Sequence, residues 1–212
     1  MAQMIENEMR HKLKVHVIPY PIDGKYFKQL QHKNINLNKG KISVLFASRN
    51  DKVKGGELFV DSLQKINNKF KSVIKVDVFG YLPVQDISHL DFLQLHGFVP
   101  KGELNQAYKR ADICVIPSLF DNSPNTVYEA MASGKIVVAS STGGIPEIIG
   151  ERGNGYLFTA SNENDLTKKL SQAIDLILSG NDIIVRNNAQ ERIFSIANLK
   201  ENVQKRLKLV QE

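Results

Sequence analysis

The chain has 212 residues, a length typical of one globular domain with a short segment appended at either end. Hydrophobic residues make up 42% of the sequence and charged residues 24%, so the chain can bury a core without disulfides or metals. The formal net charge of +6 favours anionic partners, a class that includes nucleic acid, anionic lipid and phosphorylated small molecules.

The single cysteine, Cys114, excludes an intramolecular disulfide and indicates a reducing compartment. Its apolar neighbours Ile113 and Val115 predict a buried, inert thiol rather than a nucleophile. No apolar run approaches the roughly 18 residues that a membrane-spanning helix needs. The polar stretch Met1–Lys14 also lacks the apolar centre of a signal peptide, so we expect a soluble, cytoplasmic protein.

The first forty residues differ in composition from the rest of the chain. Val15–Pro19 is a short β-prone run that ends in proline, and Gln29–Gly40 is polar and rich in Asn and Lys. We interpret residues 1–40 as a connector and expect the folded domain to span residues 41–195.

After Lys41, short apolar runs alternate with stretches of helical periodicity. Strands of four to six residues between helices of ten or more are typical of βαβ crossovers, which predicts an α/β fold with a doubly wound parallel sheet. Strands are predicted at Ile42–Ala47, Ile74–Phe79, Leu95–Val99, Ile113–Ile116, Ile136–Ala139 and Tyr156–Phe158, and helices at Gly56–Phe70, Glu103–Arg110, Asn125–Ser133, Glu163–Leu178, Ile183–Ile193 and Leu199–Val210.

Ligands of such sheets bind at the carboxyl ends of the strands, so the loops after the strands are the places to search. Arg49 and Lys54 follow the first strand and precede a helix that begins near a pair of glycines. Arginine offers a planar fork for phosphate and lysine offers a point charge. A phosphate site and a solvated basic loop are both compatible with these residues alone.

The loop after Ile113–Ile116 leads into another helix start. Ser123 is a good N-cap residue, and proline at position 124 suits the first helical turn. The backbone amides of Asn125, Thr126 and Val127 would then point out of a helix N-terminus, which is a ready anion site.

Two acids flank this predicted anion site, and the sequence is compatible with two roles for each of them. Asp121 precedes the helix and Glu129 lies inside it, eight positions later. A carboxylate repels a diphosphate but accepts hydrogen bonds from ribose or sugar hydroxyls. Alternatively, Asp121 forms a turn and Glu129 faces solvent.

Other motifs of ligand binding are weaker or missing. Gly143 and Gly144 follow a strand and allow the backbone to approach either a ligand or another loop closely. None of the five histidines has the spacing of a metal site, and the sequence contains neither a Walker A motif nor G-x-G-x-x-G.

Taken together, these motifs resemble the C-terminal domain of retaining GT-B glycosyltransferases of family 4, called group 1. The resemblance covers about Val15 to Ile177, and its landmarks stand in the family's order. They are the connector Val17–Asp23, the cations of Ser48–Gly55, the run His96–Val99, the strand Ala111–Ser118, the helix Glu129–Gly134 and the loop Thr142–Glu147.

The resemblance implies a role for each candidate residue. Arg49 and Lys54, together with the helix start at Asn125, Thr126 and Val127, would bind the donor diphosphate and stabilise its charge without an essential metal. Phe98 and Val99 would meet the nucleotide base. The acids match the E-x7-E motif of the family, in which Glu129 holds the ribose and Asp121 lies near the transferred sugar. Aspartate at position 121 and the sequence Phe79-Gly80-Tyr81 depart from the family pattern.

The resemblance also implies that the active enzyme contains more than this chain. Nothing before Val15 can form the acceptor-binding N-terminal domain of a GT-B enzyme, so we expect a domain that is inactive alone. Residues 196–212 would form a helix that crosses back to that domain. The implied reaction moves a sugar from a UDP- or GDP-sugar to an acceptor hydroxyl, without cofactors.

Two other functions are compatible with the sequence, an epimerase with the GT-B fold and a noncatalytic module that binds nucleotides or polyanions. The lysines are scattered and the chain has no tryptophan, so we expect no nucleic-acid partner. The basic charge is compatible with peripheral contact at the inner face of a membrane.

Overall fold

Six strands form one fully parallel sheet, as the alternating pattern predicts. The computed structural model of the chain describes residues 18, 19, 21, 22, 25, 28, 30, 40–49, 52–82, 87–150 and 153–211. The strands are β1 Ile42–Ser48, β2 Ile74–Gly80, β3 Leu93–Gly97, β4 Ile113–Ile116, β5 Ile136–Ser140 and β6 Tyr156–Phe158. Their order in the sheet is β3-β2-β1-β4-β5-β6. This is the Rossmann-like doubly wound order, and it confirms the predicted fold class.

Helices follow the strands and cover both faces of the sheet. A short 3₁₀ turn at Lys52–Lys54 leads from β1 into the first of them. The helices are α1 Gly56–Lys65, α2 Asn68–Lys71, α3 Lys101–Arg110, α4 Asn125–Ala132, α5 Ile145–Ile149, α6 Glu163–Leu178, α7 Ile183–Ile196 and α8 Leu199–Gln211.

The strands are apolar on both sides because each side faces a separate hydrophobic core. Ile113 and Val115 of β4 point into the core beneath α1 and α6, while Cys114 and Ile116 point into the core beneath α3, α4 and α7. All four side chains are buried. This alternation is the period of two that a pleated strand imposes, and it confirms that Cys114 is a core residue.

Some elements differ from their predicted bounds. The predicted helix Gly56–Phe70 is broken because Ile66 is extended, and the Asn67 side chain accepts a hydrogen bond from the Lys69 amide at 3.0 Å and caps a second helix. The strand predicted at Leu95–Val99 lies two residues earlier. Its pairing with β2 has a bulge, which interrupts the register after Leu95.

The connector contributes to the domain more than its polar composition indicates. Leu30 is fully buried in the core beneath α3, α4 and α7. Ile22 donates a backbone hydrogen bond to Ala197 at 3.0 Å, and the buried Asn202 of α8 donates to the Pro19 carbonyl at 3.1 Å. The β-prone run at 15–17 lies outside the described residues, and Ile18 and Pro19 are not in a strand. The limits 41 and 195 stay a prediction.

A buried charge network fixes α7 to the amino-terminal edge of the sheet. The Arg186 guanidinium donates to the carboxylates of Asp182 at 2.5 Å and of Asp112 at 3.4 Å, and to the carbonyl of Gly134 at 3.3 Å. The other carboxylate oxygen of Asp112 accepts from the Ser43 amide at 2.9 Å. Each charge of this network therefore has hydrogen-bonding partners, as a charge outside water requires.

Among the helices that the structure describes, none is long and apolar enough to span a bilayer.

Candidate functional site

An open cleft of about 670 Å³ lies at the carboxyl-terminal edge of the sheet. Its floor is formed where β1 and β4 end, and these neighbouring strands mark the point at which the strand order reverses. This is the position at which doubly wound sheets bind ligands, and the volume suits a small molecule. Of the nine predicted site residues, all except Val127 line the cleft: Arg49, Lys54, Phe98, Val99, Asp121, Asn125, Thr126 and Glu129.

The two predicted cations reach the cleft from the loop after β1. Arg49 directly follows the strand and is exposed, and Lys54 closes the 3₁₀ turn with about a third of its side chain exposed. The turn is tied to the loop after β4, because the Leu119 amide donates to the Val53 carbonyl at 2.7 Å. Packing between loops therefore sets the position of Lys54 before any ligand binds.

Gly55 makes this packing possible. Its φ of +73° is strained for other residues, and a Cβ atom there would lie only 1.9 Å from the Pro117 carbonyl oxygen. Gly80 shows the same close approach, since its Cβ would lie 1.7 Å from the Ser48 carbonyl oxygen. The loops that follow β1, β2 and β4 thus touch through backbone contacts that only glycine permits.

Lys54 and Asp121 form an ion pair inside the cleft, which neither residue's sequence context indicates. The Lys54 Nζ donates to Asp121 Oδ2 at 2.5 Å, and the other carboxylate oxygen accepts from the Ser123 amide at 3.2 Å. The side chain of Asp121 is only 12% exposed. Asp121 therefore forms the turn that the sequence left as one reading, and it also neutralises one of the two predicted phosphate cations.

The start of α4 differs from the predicted cap. The N-cap position is Pro124 rather than Ser123, and no side chain caps the helix. Ser123 instead directs its hydroxyl to that of Tyr128 at 3.4 Å. Proline takes this position because its φ of −69° leads directly into the helix.

Val127 differs from Asn125 and Thr126 because it does not line the cleft. Its side chain is fully buried in the core, and its amide donates to the Pro124 carbonyl at 3.1 Å. The amide of this first-turn residue is thus already used within the helix, and a role of Val127 in anion binding stays a prediction. Asn125 and Thr126 do line the cleft, so they stay the predicted anion-binding part of the helix start.

Glu129 and the segment after β3 form opposite walls of the cleft. Glu129 is half-buried on α4, and Phe98 and Val99 line the wall that follows β3. Phe98 is 70% exposed and lies close to Gly80, whose Cβ would be 3.7 Å from the phenyl ring. A large aromatic face is therefore open to the cleft on the side away from α4.

The glycine pair after β5, Gly143 and Gly144, lies against another loop. The sequence alone was compatible with close approach either to a ligand or to another loop. Cβ atoms at Gly143 and Gly144 would lie 1.9 Å and 2.0 Å from the carbonyl oxygens of Asp121 and Asn122. The Gly144 amide also donates to the Asp121 carbonyl at 3.2 Å. The pair thus holds the backbone of the loop that carries Asp121.

Lys101, the first residue of α3, also lines the cleft and is not among the predicted site residues. Its signal in the sequence is a cation at a helix N-terminus, where cations are unfavourable, two residues after the predicted base-binding Val99. Cys114 is buried in the core and does not line the cleft, and burial raises the pKa of its thiol to about 12. Over the described ranges, no group of three or more His, Cys, Asp or Glu residues could hold a metal ion.

The parallel sheet, its strand order and the cleft at the reversal point define a Rossmann-like α/β domain. The family model for glycosyl transferases group 1 matches residues 27–193. The chain therefore belongs to this glycosyltransferase family.

Similar proteins agree with this assignment. The chain is 30% identical over 151 residues to the N,N'-diacetylbacillosaminyl-diphospho-undecaprenol alpha-1,3-N-acetylgalactosaminyltransferase of Campylobacter jejuni, covering 70% of this chain and 39% of that protein. It is 29% identical over 175 residues to an uncharacterised glycosyltransferase of Methanocaldococcus jannaschii, covering 76% of this chain and 43% of that one. The chain thus spans less than half the length of these curated relatives.

Solved structures share the fold. HepE of Anabaena in complex with UDP superposes with a TM-score of 0.76 at 19% identity, covering 92% of this chain and 57% of that one. The C-terminal domain of a group 1 glycosyl transferase from Francisella tularensis superposes with a TM-score of 0.65 at 23% identity, covering 86% of this chain and 97% of that one.

Proposed function

We propose that this chain binds a nucleoside diphosphate sugar and supplies the donor-binding half of a retaining glycosyltransferase. The observation that carries the proposal is that Arg49, Lys54, Asn125 and Thr126 line one cleft with Glu129. Two separate elements, the loop after β1 and the helix α4, contribute these residues. The solved complexes of HepE with UDP and with UDP-glucose support a donor of this class.

The diphosphate would lie between the cations and the start of α4. A charge-assisted hydrogen bond contributes about 1.5–3 kcal/mol, and an exposed helix N-terminus contributes about 0.3–1 kcal/mol to an anion. Arg49 is exposed and Lys54 is already paired with Asp121, so each contributes near the lower limit. Useful affinity then requires all of these elements to act on one diphosphate.

The same groups would act on the reaction. When the bond between C1 of the sugar and the phosphate oxygen breaks, its electron pair stays on the departing diphosphate, whose charge increases. Arg49, Lys54 and the amides at the start of α4 would stabilise that charge without a metal, and Lys54 and the helix are held in place before the reaction. The acceptor oxygen bonds to C1 on the same face, and its proton passes to the departing phosphate oxygen.

The acids have separate tasks in this proposal. Glu129 accepts hydrogen bonds from the ribose hydroxyls, and Asp121 orients the donor sugar while it neutralises Lys54. The acceptor would bind to a second unit of the enzyme, in agreement with the greater length of the relatives. Transfer by the chain alone is therefore expected to be negligible, and contact of the enzyme with a membrane surface stays a prediction.

Calorimetry with UDP and GDP tests the proposal. Arg49→Ala and Lys54→Ala should each weaken binding of the better nucleotide about tenfold, which corresponds to the loss of one charge-assisted hydrogen bond. Lys52→Ala is the matched control, because Lys52 is exposed in the same turn and does not line the cleft.

A double variant separates phosphate binding from the ion pair. Lys54→Met with Asp121→Asn removes one charge of each sign, so the net charge of the cleft is unchanged and no buried carboxylate loses its partner. Affinity for UDP should still fall about tenfold if Lys54 contacts phosphate. Affinities that match those of the unmodified chain in all three cleft variants would exclude the phosphate site.

A further inference from the structure

The wall of the cleft after β3 contains one charged side chain, Lys101, which the proposed function leaves without a role. The described residues around it on that wall are apolar: Phe79, Phe98, Val99 and Leu104. A planar ring that packs against these side chains would therefore meet a single ionised donor there. An ammonium group is only a donor of hydrogen bonds, so it favours an acceptor on the edge of that ring.

Lys101 stands at the end of the cleft that is far from the predicted diphosphate. It follows β3, whereas the start of α4 follows β4, and these strands are three places apart in the sheet. With neighbouring strands about 4.8 Å apart, the two ends of the cleft are separated by about 14 Å. This distance suits a nucleotide whose phosphates lie at one end and whose base lies at the other.

Lys101 is the first residue of α3, and the helix dipole places partial positive charge at that end of the helix. A cation there is unfavourable for the helix, and a partial negative charge on a ligand would relieve the repulsion.

We propose that Lys101 selects the base of the donor nucleotide, favouring bases with a carbonyl oxygen on the exposed edge over those with an amino group. Uracil, thymine and guanine carry such an oxygen, and cytosine and adenine carry an amino group at the equivalent place. This inference rests on the proposed function, because it assumes that the cleft binds a nucleotide with the base on the wall of Phe98.

UDP and CDP form a matched pair of ligands for the test. They have the same ribose and diphosphate, and they differ only where uracil has O4 and N3–H and cytosine has an amino group and an unprotonated N3. We expect the unmodified chain to bind UDP at least about tenfold more tightly than CDP, the ratio that one charge-assisted hydrogen bond provides.

Lys101→Met removes the charge and keeps the length of the apolar stem. This variant should lose about tenfold in affinity for UDP and less than about twofold for CDP, so the ratio of the two dissociation constants approaches one. Lys52→Met makes the same change in net charge in an exposed turn outside the cleft lining and should preserve the ratio. Because Lys101 is exposed, the melting temperature of its variant should lie within about 4 °C of that of the unmodified chain.

The outcomes separate this inference from the proposed function. Equal losses for UDP and CDP would make Lys101 a phosphate contact and overturn base selection. An unchanged ratio with unchanged affinities would also overturn it, while binding of UDP would still support the proposed function. If the unmodified chain binds no nucleoside diphosphate at all, the proposed function fails first and the inference fails with it.

Discussion

Replacing Gly55 by alanine tests whether close packing of loops builds the cleft. Two costs are expected, because Gly55 combines a φ of +73° with a predicted Cβ position 1.9 Å from the Pro117 carbonyl oxygen and 2.8 Å from its carbon. An alanine with left-handed φ costs roughly 1–2 kcal/mol. Forcing two backbone segments apart adds about 1–3 kcal/mol, the usual effect of overpacking.

Gly180 is a matched control for the free-energy cost of placing alanine at a left-handed φ. It has the same φ of +73°, and a Cβ atom there would meet nothing within 4 Å. Gly180→Ala should therefore show the cost of the backbone conformation alone. The difference between the two variants isolates the contact of Gly55 with Pro117.

Urea unfolding and thermal melting measure both variants. For a chain of this size, each kcal/mol of destabilisation lowers the melting temperature by about 2–4 °C. Gly55→Ala should thus melt well below Gly180→Ala, by an amount that corresponds to the contact with Pro117. It should also bind UDP more weakly than Gly180→Ala, because Lys54 directly precedes the displaced residue.

Equal destabilisation by the two alanines would refute the reasoning. It would mean that the loops after β1 and β4 separate at no cost, so their contact could not hold Lys54 in place. The stability measurement does not depend on any ligand, so this result would count even if UDP does not bind.

Two further predictions follow from buried titratable groups. Burial lowers the pKa of Lys135 from 10.5 to about 8, so between these pH values the unfolded chain holds more protons than the folded chain. The free energy of unfolding should therefore rise with pH across this window relative to Lys135→Met, and a constant difference between the two proteins would contradict it. Burial also raises the pKa of Cys114 to about 12, so iodoacetamide at pH 8 should label the thiol only in urea. Labelling of the native chain at the same rate as the unfolded chain would contradict burial.

The sequence predicted the bounds of a strand or helix correctly where neighbouring residues mark its ends. The strands Ile113–Ile116 and Tyr156–Phe158 and the helix Glu163–Leu178 have the predicted bounds, because turn residues or a capping Asn162 delimit them in the sequence. The break at Ile66 stands next to a local cap at Asn67, whereas the bulge in β3 depends on its pairing with β2. Neither leaves a mark on hydrophobic periodicity.

Part of the cleft could also be predicted from the sequence. The rule that ligands bind after parallel strands brought Arg49, Lys54 and Glu129 together correctly, although they are far apart in the chain. The sequence could not show that the Val127 amide closes the first helical turn, because this detail depends on where the helix begins. Lys101 was not predicted because the apolar side chains that surround it in the cleft become apparent only in the folded structure.

The distribution of charge argues for a small anion more specifically than the total charge does. At the amino-terminal edge of the sheet, Asp112, Asp182 and Arg186 form a buried network whose formal excess is one negative charge. At the carboxyl-terminal edge, the charged residues in the described lining are three cations and two acids, a formal excess of one positive charge: Arg49, Lys54, Lys101, Asp121 and Glu129. The starts of α3 and α4 add partial positive charge at the same edge. A net charge of +6 alone would suit any polyanion, whereas this excess lies inside a cleft of about 670 Å³ that has room for a nucleotide and its sugar.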